Sequence, residues 1–240
     1  MKNLINRALA AEKKLFLLLA VAALAMLNVM AENYPTKFLG IPIDGTKQEM
    51  IKKIQAKGFK YHNEYGQEYL DGEFNGADVH VYIATNNNKV YRIMVTEVKT
   101  WSEGQIRIRY NNLMQQFKDN TKYMPGDITQ GPISEDEDIS YEMAVHSKIY
   151  SANFNQITHP VDTTILKRDL QTVAEELLSE YTEEEIEADR DFFNNAMLYL
   201  AAKMQYEKNS VWFTIDEFSG EYYLTLYYDN LYNKANGEDL

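Results

Sequence analysis

The feature that constrains the fold most is a set of segments in which apolar and polar residues alternate between turn-forming residues. The segments "YLDGEF" and "ADVHVYIAT" flank Asn75-Gly76, the strongest short signal for a β-hairpin. The residues "NNNK" then join the second segment to "VYRIMVTEV". A similar pair, "SVWFTIDEF" and "YYLTLYYDN", lies around Ser219-Gly220. Alternation places apolar side chains on one face of a strand, so these segments predict antiparallel strands with one buried face.

A helix is predicted ahead of each group of strands. Thr46 and Glu49 stand three residues apart, as do Ser102 and Gln105, and at this spacing both side chains can cap a helix start. Apolar residues at helical spacing follow the two pairs: Met50, Ile51 and Ile54 after the first, and Ile106, Tyr110, Leu113, Met114 and Phe117 after the second. Each group is therefore predicted to be a helix followed by strands.

The similarity of the two groups predicts an internal repeat. "YLDGEFNG" resembles "IYSANFNQ", and "DVHVYIATNNNKVYRIMV" resembles "SVWFTIDEFSGEYYLTLY". The first copy covers residues about 38–100 and the second about 101–240, in which "ISYEMAVHS" and "KIYSANFNQ" are interpreted as strands. Chance alternation along the strands is the alternative explanation.

Two helical patterns interrupt the second copy at about residues 158–209, with Thr182 and Glu185 at capping spacing between them. A helical pair inserted into a hairpin is the simplest explanation. The prediction is an α+β fold, with an antiparallel meander sheet, helices packed on one face, two quasi-repeats, and a helical pair inserted in the second.

The first 31 residues have the pattern of an export signal. Four basic residues precede an uninterrupted apolar run from Leu15 to Leu27, and Val29-Met30-Ala31 supplies small residues where a signal peptidase cleaves. The run is shorter than the ~20 apolar residues that a membrane span needs. We therefore expect a signal peptide at residues 1–31, a single domain at residues 32–240, and a periplasmic or extracellular location. The alternative is a retained anchor.

The charge and the lack of cysteine limit the classes of function. The chain has 24 Lys and Arg against 36 Asp and Glu, and loss of residues 1–31 leaves 20 against 35, a net charge of −15. Such a surface repels nucleic acid and anionic lipid, so neither is an expected partner. With no cysteine, thiol catalysis, thiolate metal sites and disulfides are excluded.

A family resemblance rests on three segments. The opening "FLGIPIDGTKQEMIKKIQAKGF", the hairpin "YLDGEFNG" and the closing "YYLTLYYDNLYNKANGEDL" resemble uncharacterised secreted proteins of anaerobic Gram-negative gut bacteria. Their helix-plus-meander repeats are similar to the tandem fold of beta-lactamase inhibitor protein (BLIP) and, more distantly, to small outer-membrane assembly lipoproteins. The resemblance implies fold and compartment, and it carries no catalytic residue.

The sequence shows no recognisable enzyme motif. His62, His80, His146 and His159 never share metal-ligand spacing, and no zinc signature, phosphate-binding glycine loop or nucleophile elbow is present. The acids Glu135 to Asp138 lack the register of a calcium loop. We therefore expect no cofactor, no metal and no catalytic residue, although a pair of carboxylates for hydrolysis can be recognised only from coordinates.

Strand alternation predicts one aromatic face on the sheet. In the last hairpin Val211, Phe213, Ile215, Tyr222, Leu224 and Leu226 should face the helices. The opposite face, called here the outer face, should carry the candidate binding residues Trp212, Tyr223, Tyr227, Tyr82, His80, Arg92 and Met94. Trp, Tyr and Arg are the residues that dominate interface hot spots.

The leading hypothesis is a non-enzymatic, exported module that binds a protein partner through this outer face. One alternative is a glycan-binding protein that uses the same aromatic rings as platforms for sugars. A second alternative is a hydrolase with an unrecognised carboxylate site. Coplanar exposed rings favour glycan, a broad face with scattered polar groups favours protein, and a deep acidic cleft favours an enzyme.

Overall fold

The computed structural model describes residues 33–126, 130–180 and 190–235. From Pro35 onward the described residues form one compact unit. The expected signal peptide at residues 1–31 lies outside the described residues, as do Thr182 and Glu185. Within the described part, no helix combines the length and the apolar character needed to cross a membrane.

One large antiparallel sheet dominates the described unit. A two-stranded hairpin, β1 (Lys37–Phe38) and β2 (Ile41–Pro42), lies apart from it. The eight strands of the large sheet are β3 (Lys60–Glu64), β4 (Gln67–Phe74), β5 (Ala77–Asn86), β6 (Lys89–Glu97), β7 (Tyr123–Pro125), β8 (Ser151–Gln156), β9 (Ser210–Phe218) and β10 (Glu221–Asp229). Their order across the sheet is β3-β4-β5-β6-β10-β9-β8-β7. The predicted α+β class with an antiparallel sheet is therefore confirmed.

The sheet consists of two four-stranded meanders that meet at their last strands, β6 and β10. Helix α1 (Lys47–Gln55) precedes the first meander and helix α2 (Glu103–Asp119) precedes the second. The segment "IYSANFNQ", which was compared with the β4 segment, contains strand β8. Strands β4 and β8 are each the second strand from an edge of the sheet. Strand order alone does not measure how similar the two halves are, so the repeat stays a prediction.

Both predicted capping pairs form. Thr46 Oγ1 accepts a hydrogen bond from the Glu49 amide at 3.3 Å, and Glu49 Oε2 accepts one from the Thr46 amide at 2.9 Å. At the start of α2, Gln105 Oε1 accepts hydrogen bonds from the Ser102 amide at 3.3 Å and from the Ser102 hydroxyl at 3.0 Å. Met50 and Ile54 of α1, with Ile106, Tyr110, Leu113, Met114 and Phe117 of α2, are buried in the core. Both helices therefore cover the same face of the sheet, where they bury apolar area.

The interpretation of "ISYEMAVHS" as a strand is wrong, because these residues form helix α3 (Ile139–His146). The Asp138 carboxylate accepts a hydrogen bond from the Tyr141 amide at 2.8 Å and caps the helix start. Ser147 ends the helix in the left-handed conformation, with φ of 53°. Ile139 is buried while Tyr141 and Val145 are about half exposed, so the apparent alternation reflects no buried strand face.

The sequence prediction also missed the two edge strands. Strand β3, "KYHNE", has no fully buried side chain and therefore no apolar alternation to detect. Strand β7 is three residues long and includes Pro125, which an edge strand tolerates because one of its sides is unpaired. Charged and short edge strands protect a sheet from pairing with other chains.

The predicted insertion contains helices α4 (Thr163–Glu180) and α5 (Arg190–Met204), between the neighbouring strands β8 and β9. Val173, Phe193, Ala201 and Tyr206 are buried in this region but do not belong to the core under the sheet. The Gln156 amide donates to the Asn209 carbonyl at 2.8 Å, so the two ends of the insertion meet at the sheet. These side chains of the insertion thus pack outside the core under the sheet, within the same compact unit.

Candidate functional site

The outer face carries all seven candidate binding residues. Seven side chains on this face are each partly exposed: Trp212, Tyr223, Tyr227, Tyr82, His80, Arg92 and Met94. Their neighbours along the strands are buried, except Tyr91 beside Arg92, which is partly exposed. The helix-facing residues are buried as predicted: Val211, Phe213, Ile215, Tyr222, Leu224 and Leu226. The strand geometry therefore gathers the candidate residues on one surface. It does not show that this surface binds a partner.

Six of the side chains on this surface form a continuous line across the strands. Cross-strand pairing and ring contacts connect His62 on β3, Tyr69 on β4, Tyr82 on β5, Met94 on β6, Tyr227 on β10 and Trp212 on β9. These six residues are called the aromatic row. With about 4.8 Å between strands, the row spans about 24 Å.

The rings in the row pack against each other. The Trp212 and Tyr227 rings are stacked, with centroids 3.8 Å apart and an interplanar angle of 8°. His62 stacks on Tyr69 with centroids 5.1 Å apart. Met94 lies opposite both Tyr82 and Tyr227 in the strand register. Ring faces that contact neighbouring side chains are not free to form a flat platform on which a sugar ring could stack.

A buried carboxylate, Asp229, bonds to both Arg92 and Trp212 at one end of the row. Arg92 donates to the two carboxylate oxygens of Asp229 at 2.6 and 2.7 Å, and the Asp229 side chain is 4% exposed. The Trp212 Nε1 donates to Asp229 Oδ2 at 3.1 Å. The Arg92 guanidinium carbon also lies 5.5 Å from the Trp212 ring centroid and 5.1 Å from that of Tyr227. Arg92 is therefore held by a carboxylate and two aromatic rings.

Two histidines contact one carboxylate near β3. His62 Nε2 lies 2.9 Å from Asp71 Oδ2, and His80 Nε2 lies 3.2 Å from Asp71 Oδ1. These distances are within ion-pair range, yet neither His62 Nε2 nor Asp71 Oδ1 meets the geometry of a hydrogen bond within the described protein. The Tyr69 ring lies 4.8 Å from that of His80 and connects this group to the row.

Asp216 lies on the outer face next to the row. Its Oδ2 accepts a hydrogen bond from the Thr225 hydroxyl at 2.6 Å, and Tyr223 is its cross-strand neighbour. Burial raises the pKa of the Asp216 carboxyl, against the lowering effect of this hydrogen bond. Burial, and then the Asp216 charge, raise the pKa values of Tyr223 and Tyr227. Burial therefore favours the neutral forms of Asp216, Tyr223 and Tyr227 on this face.

Sequence reasoning missed several residues of this surface. Tyr69 and Asp71 flank the buried Leu70 in "EYLDG", so the same alternation applied to β4 would have found them. His62 was missed because β3 has no apolar pattern. Asp229 was missed because its role depends on a bond to Arg92, which is 137 residues away. No sequence signal marks that pairing.

A recess lies on the other side of the sheet, the side that faces the helices. It has a volume of about 310 Å³ and lies between α2 and the β4–β5 hairpin, with Val79, Leu224 and Leu226 in its floor. These three side chains are at most 4% exposed. At one end Glu97 accepts hydrogen bonds from Arg109 at 2.5 Å and from Trp101 Nε1 at 3.0 Å. The floor of the recess is therefore almost fully buried, and at this end the polar groups of Glu97, Arg109 and Trp101 bond to one another.

The outer face is the surface that combines exposed aromatic area with polar groups able to contact a ligand. Among the described residues, no group of three or more His, Cys, Asp or Glu side chains is placed to hold a metal ion. The arrangement suits non-covalent recognition by stacking, ion pairing and hydrogen bonding. Comparisons with protein-family models, with curated proteins and with solved structures found no match for this chain.

Proposed function

We propose that this protein is an exported binding module that recognises a protein partner through the outer face of its sheet. The observation that carries the proposal is the aromatic row, which leaves rings from five strands partly exposed on the side away from α1 and α2. Buried aromatic anchors and a well-packed centre are the features of protein hot spots. The row spans about 24 Å, a dimension in keeping with a standard interface of roughly 800 Å² per partner.

The geometry favours a protein partner over a glycan. A sugar ring stacks on a free aromatic face, but the Trp212 and Tyr227 faces pack against each other at 3.8 Å. Trp212 Nε1 also has a partner in Asp229, so the indole cannot turn to lie flat without losing this bond. The two stacked ring faces are therefore covered, and Arg92, His80 and Asp216 add polar and charged groups to the same surface.

The proposal includes three further points: the protein is exported, its fold is similar to that of BLIP, and it has no enzymatic activity. An exported location accords with the charged and apolar pattern of residues 1–31. The hydrolase hypothesis needs a cleft with two converging carboxylates, and its test is hydrolysis of a substrate panel. None of these points is needed for the binding experiment that follows.

Partner capture with matched variants tests the proposal. Residues 32–240 are immobilised and exposed to envelope and culture-medium extracts of the source cells, and each captured protein is then purified and its affinity measured by calorimetry. Met94→Lys places a charge in the middle of the aromatic row. Ile108→Lys makes the same kind of change at a side chain of α2 that is 62% exposed on the helix side.

We expect a specific partner to bind the unchanged domain and Ile108→Lys equally and to lose at least tenfold in affinity, about 1.4 kcal/mol, with Met94→Lys. Circular dichroism must show that both variants are folded. Equal effects of the two substitutions would refute the outer face as the binding surface. Binding to immobilised polysaccharides that Met94→Lys abolishes would favour the glycan alternative.

A further inference from the structure

Among the poorly exposed carboxylates of the sheet, Asp216 differs from Asp229 and Glu97 in having no ion pair with a basic residue of the described chain. Asp229 is paired with Arg92, and Glu97 is paired with Arg109. In the part of the chain that the structure describes, no Lys, Arg or His side chain lies within 4 Å of the Asp216 carboxylate, and Thr225 is its one side-chain hydrogen-bond donor. A partly buried charge without a counter-ion is costly to keep in a fold.

Two tyrosines of the adjacent strand β10 share the outer face with this carboxylate. Tyr223 is the cross-strand neighbour of Asp216, and Tyr227 is on the same face of β10, two positions further along that face. After burial, the Asp216 charge also raises the pKa values of both tyrosines. Neither hydroxyl makes a hydrogen bond to another described residue, and each can act as donor or acceptor.

The same face already shows how such a site binds a cation. Arg92 lies against the Trp212 and Tyr227 rings while its guanidinium donates to the carboxylate of Asp229. At Asp216 the carboxylate is present, with the Tyr223 ring opposite it and the Tyr227 ring further along the same face of β10. The difference is that no arginine of the described chain reaches Asp216.

We propose that Asp216, with Tyr223 and Tyr227, is the acceptor site for an arginine side chain of the protein partner. A guanidinium is planar, stacks on aromatic rings and donates several hydrogen bonds at once, whereas an ammonium offers a smaller and more strongly hydrated charge. The net charge of −12 over the whole chain also favours a partner with basic groups. This inference rests on the proposed function and specifies the partner's chemistry at one point of the face.

The test uses three short probe peptides that differ in one side chain. The peptides are acetyl-Gly-Arg-Gly-amide, the lysine equivalent, and the citrulline equivalent, which has almost the shape of arginine but no charge. Binding to residues 32–240 with 13C-labelled tyrosine rings is followed by NMR, up to about 20 mM peptide. We expect saturable shifts of the Tyr223 and Tyr227 ring signals with the arginine peptide, weaker binding of the lysine peptide and none of the citrulline peptide.

Two isosteric substitutions locate the charge that matters. Asp216→Asn keeps the shape of the side chain and an acceptor for Thr225, and we expect it to weaken arginine-peptide binding about tenfold, the scale of one charge-assisted hydrogen bond. Asp78→Asn removes the same charge from an exposed position of β5, on the same face as His80 and Tyr82. We expect this variant to bind the arginine peptide within about twofold of the unchanged domain.

Several outcomes would overturn the inference: no saturable tyrosine shift, equal binding of the citrulline peptide, or equal binding to Asp216→Asn. The result is separable from the proposed function. A captured protein partner that is lost with Met94→Lys but keeps full affinity for Asp216→Asn would leave the proposed function standing and refute the arginine site. Loss of that partner with Asp216→Asn, and not with Asp78→Asn, would support both.

Discussion

The indole of Trp212 lies parallel to the ring of Tyr227 on the adjacent strand, 3.8 Å away, while its Nε1 donates to the buried carboxylate of Asp229. One residue along the chain, Phe213 points to the other side of the sheet and is fully buried. Its ring centroid lies 5.1 Å from that of Tyr110 and 5.7 Å from that of Phe117, both on α2. Trp212 and Phe213, although adjacent in the chain, thus lie in different environments. Substitutions at the two positions should therefore change the free energy of unfolding by different amounts.

We expect Phe213→Ala to lower the free energy of unfolding by roughly 3 to 5 kcal/mol, because it leaves a cavity among the rings of the core. Trp212→Ala should cost roughly 1 to 2 kcal/mol, since it removes one stacked pair and one hydrogen bond from a partly exposed site. Urea denaturation followed by circular dichroism measures both changes. A larger loss for Trp212→Ala than for Phe213→Ala would mean that the two faces of β9 are exchanged.

The Arg92–Asp229 pair should contribute more to stability than an exposed ion pair. Asp229→Ala leaves the Arg92 guanidinium and the Trp212 N–H without their acceptor, and we expect a loss of roughly 2 to 4 kcal/mol. Glu68→Ala is the control, because the Lys47–Glu68 pair is about one-third exposed and should contribute at most about 1 kcal/mol.

Thermal and urea unfolding of the two variants measure this difference. The variant Asp229→Ala combined with Arg92→Met should recover part of the loss, because no unpaired charge then remains. Equal losses for Asp229→Ala and Glu68→Ala would contradict the assignment of Asp229 as a buried anchor of the outer face.

Asp216 should make the stability of the domain depend on pH in a defined direction. Burial raises its folded pKa above the ordinary value of 3.8, so the folded state binds this proton more tightly than the unfolded state does. The stability contributed by this proton is complete below the unfolded pKa and is lost as the pH rises through the folded pKa. Asp216→Asn should therefore match the unchanged protein below pH 3.8 and be more stable above the folded pKa.

At pH 7 we expect a gain of roughly 0.5 to 1 kcal/mol, a small value because the carboxylate is only partly buried and solvent screens it. The measurement is the difference in unfolding free energy between the two proteins from pH 3 to 8. Asp78→Asn, at an exposed position, should change stability by less than about 0.5 kcal/mol. A loss of stability in Asp216→Asn at neutral pH would show that the charge stabilises the fold, and would remove the argument for an unpaired carboxylate.

The inserted helices should be removable without loss of the sheet. Gln156 and Asn209 are hydrogen-bonded where the insertion leaves and rejoins the sheet, so a short Gly/Ser linker in place of residues 160–208 can join β8 to β9. We expect a folded protein with a lower melting temperature, because the core under the sheet contains no residue of α4 or α5. Circular dichroism and NMR chemical-shift dispersion measure the result. An unfolded product would show that the helices belong to the core.

Short-range patterns in the sequence were enough to predict the capped helices, the hairpins and the faces of β5, β6, β9 and β10. Alternation and capping depend on residues within a few positions of each other, and here the burial of Phe213 and the exposure of Trp212 agree with them. The same rule failed for "ISYEMAVHS", where the cap at Asp138 and the packing of Ile139 favour a helix over the apparent alternation.

The tertiary structure alone decided which distant groups meet. The pairing of β6 with β10 brings Met94 opposite Tyr227 and Arg92 opposite Asp229, across more than 130 residues of chain. The pairing of β9 with β10 places Asp216 opposite Tyr223, and no basic side chain of the described residues contacts it, which no local pattern indicates. Sheet order and side-chain partners follow from the burial of a common core, a long-range effect to which each residue contributes only a small part. The sequence by itself therefore determined the elements and their faces, and the packing of those elements determined the surface available for recognition.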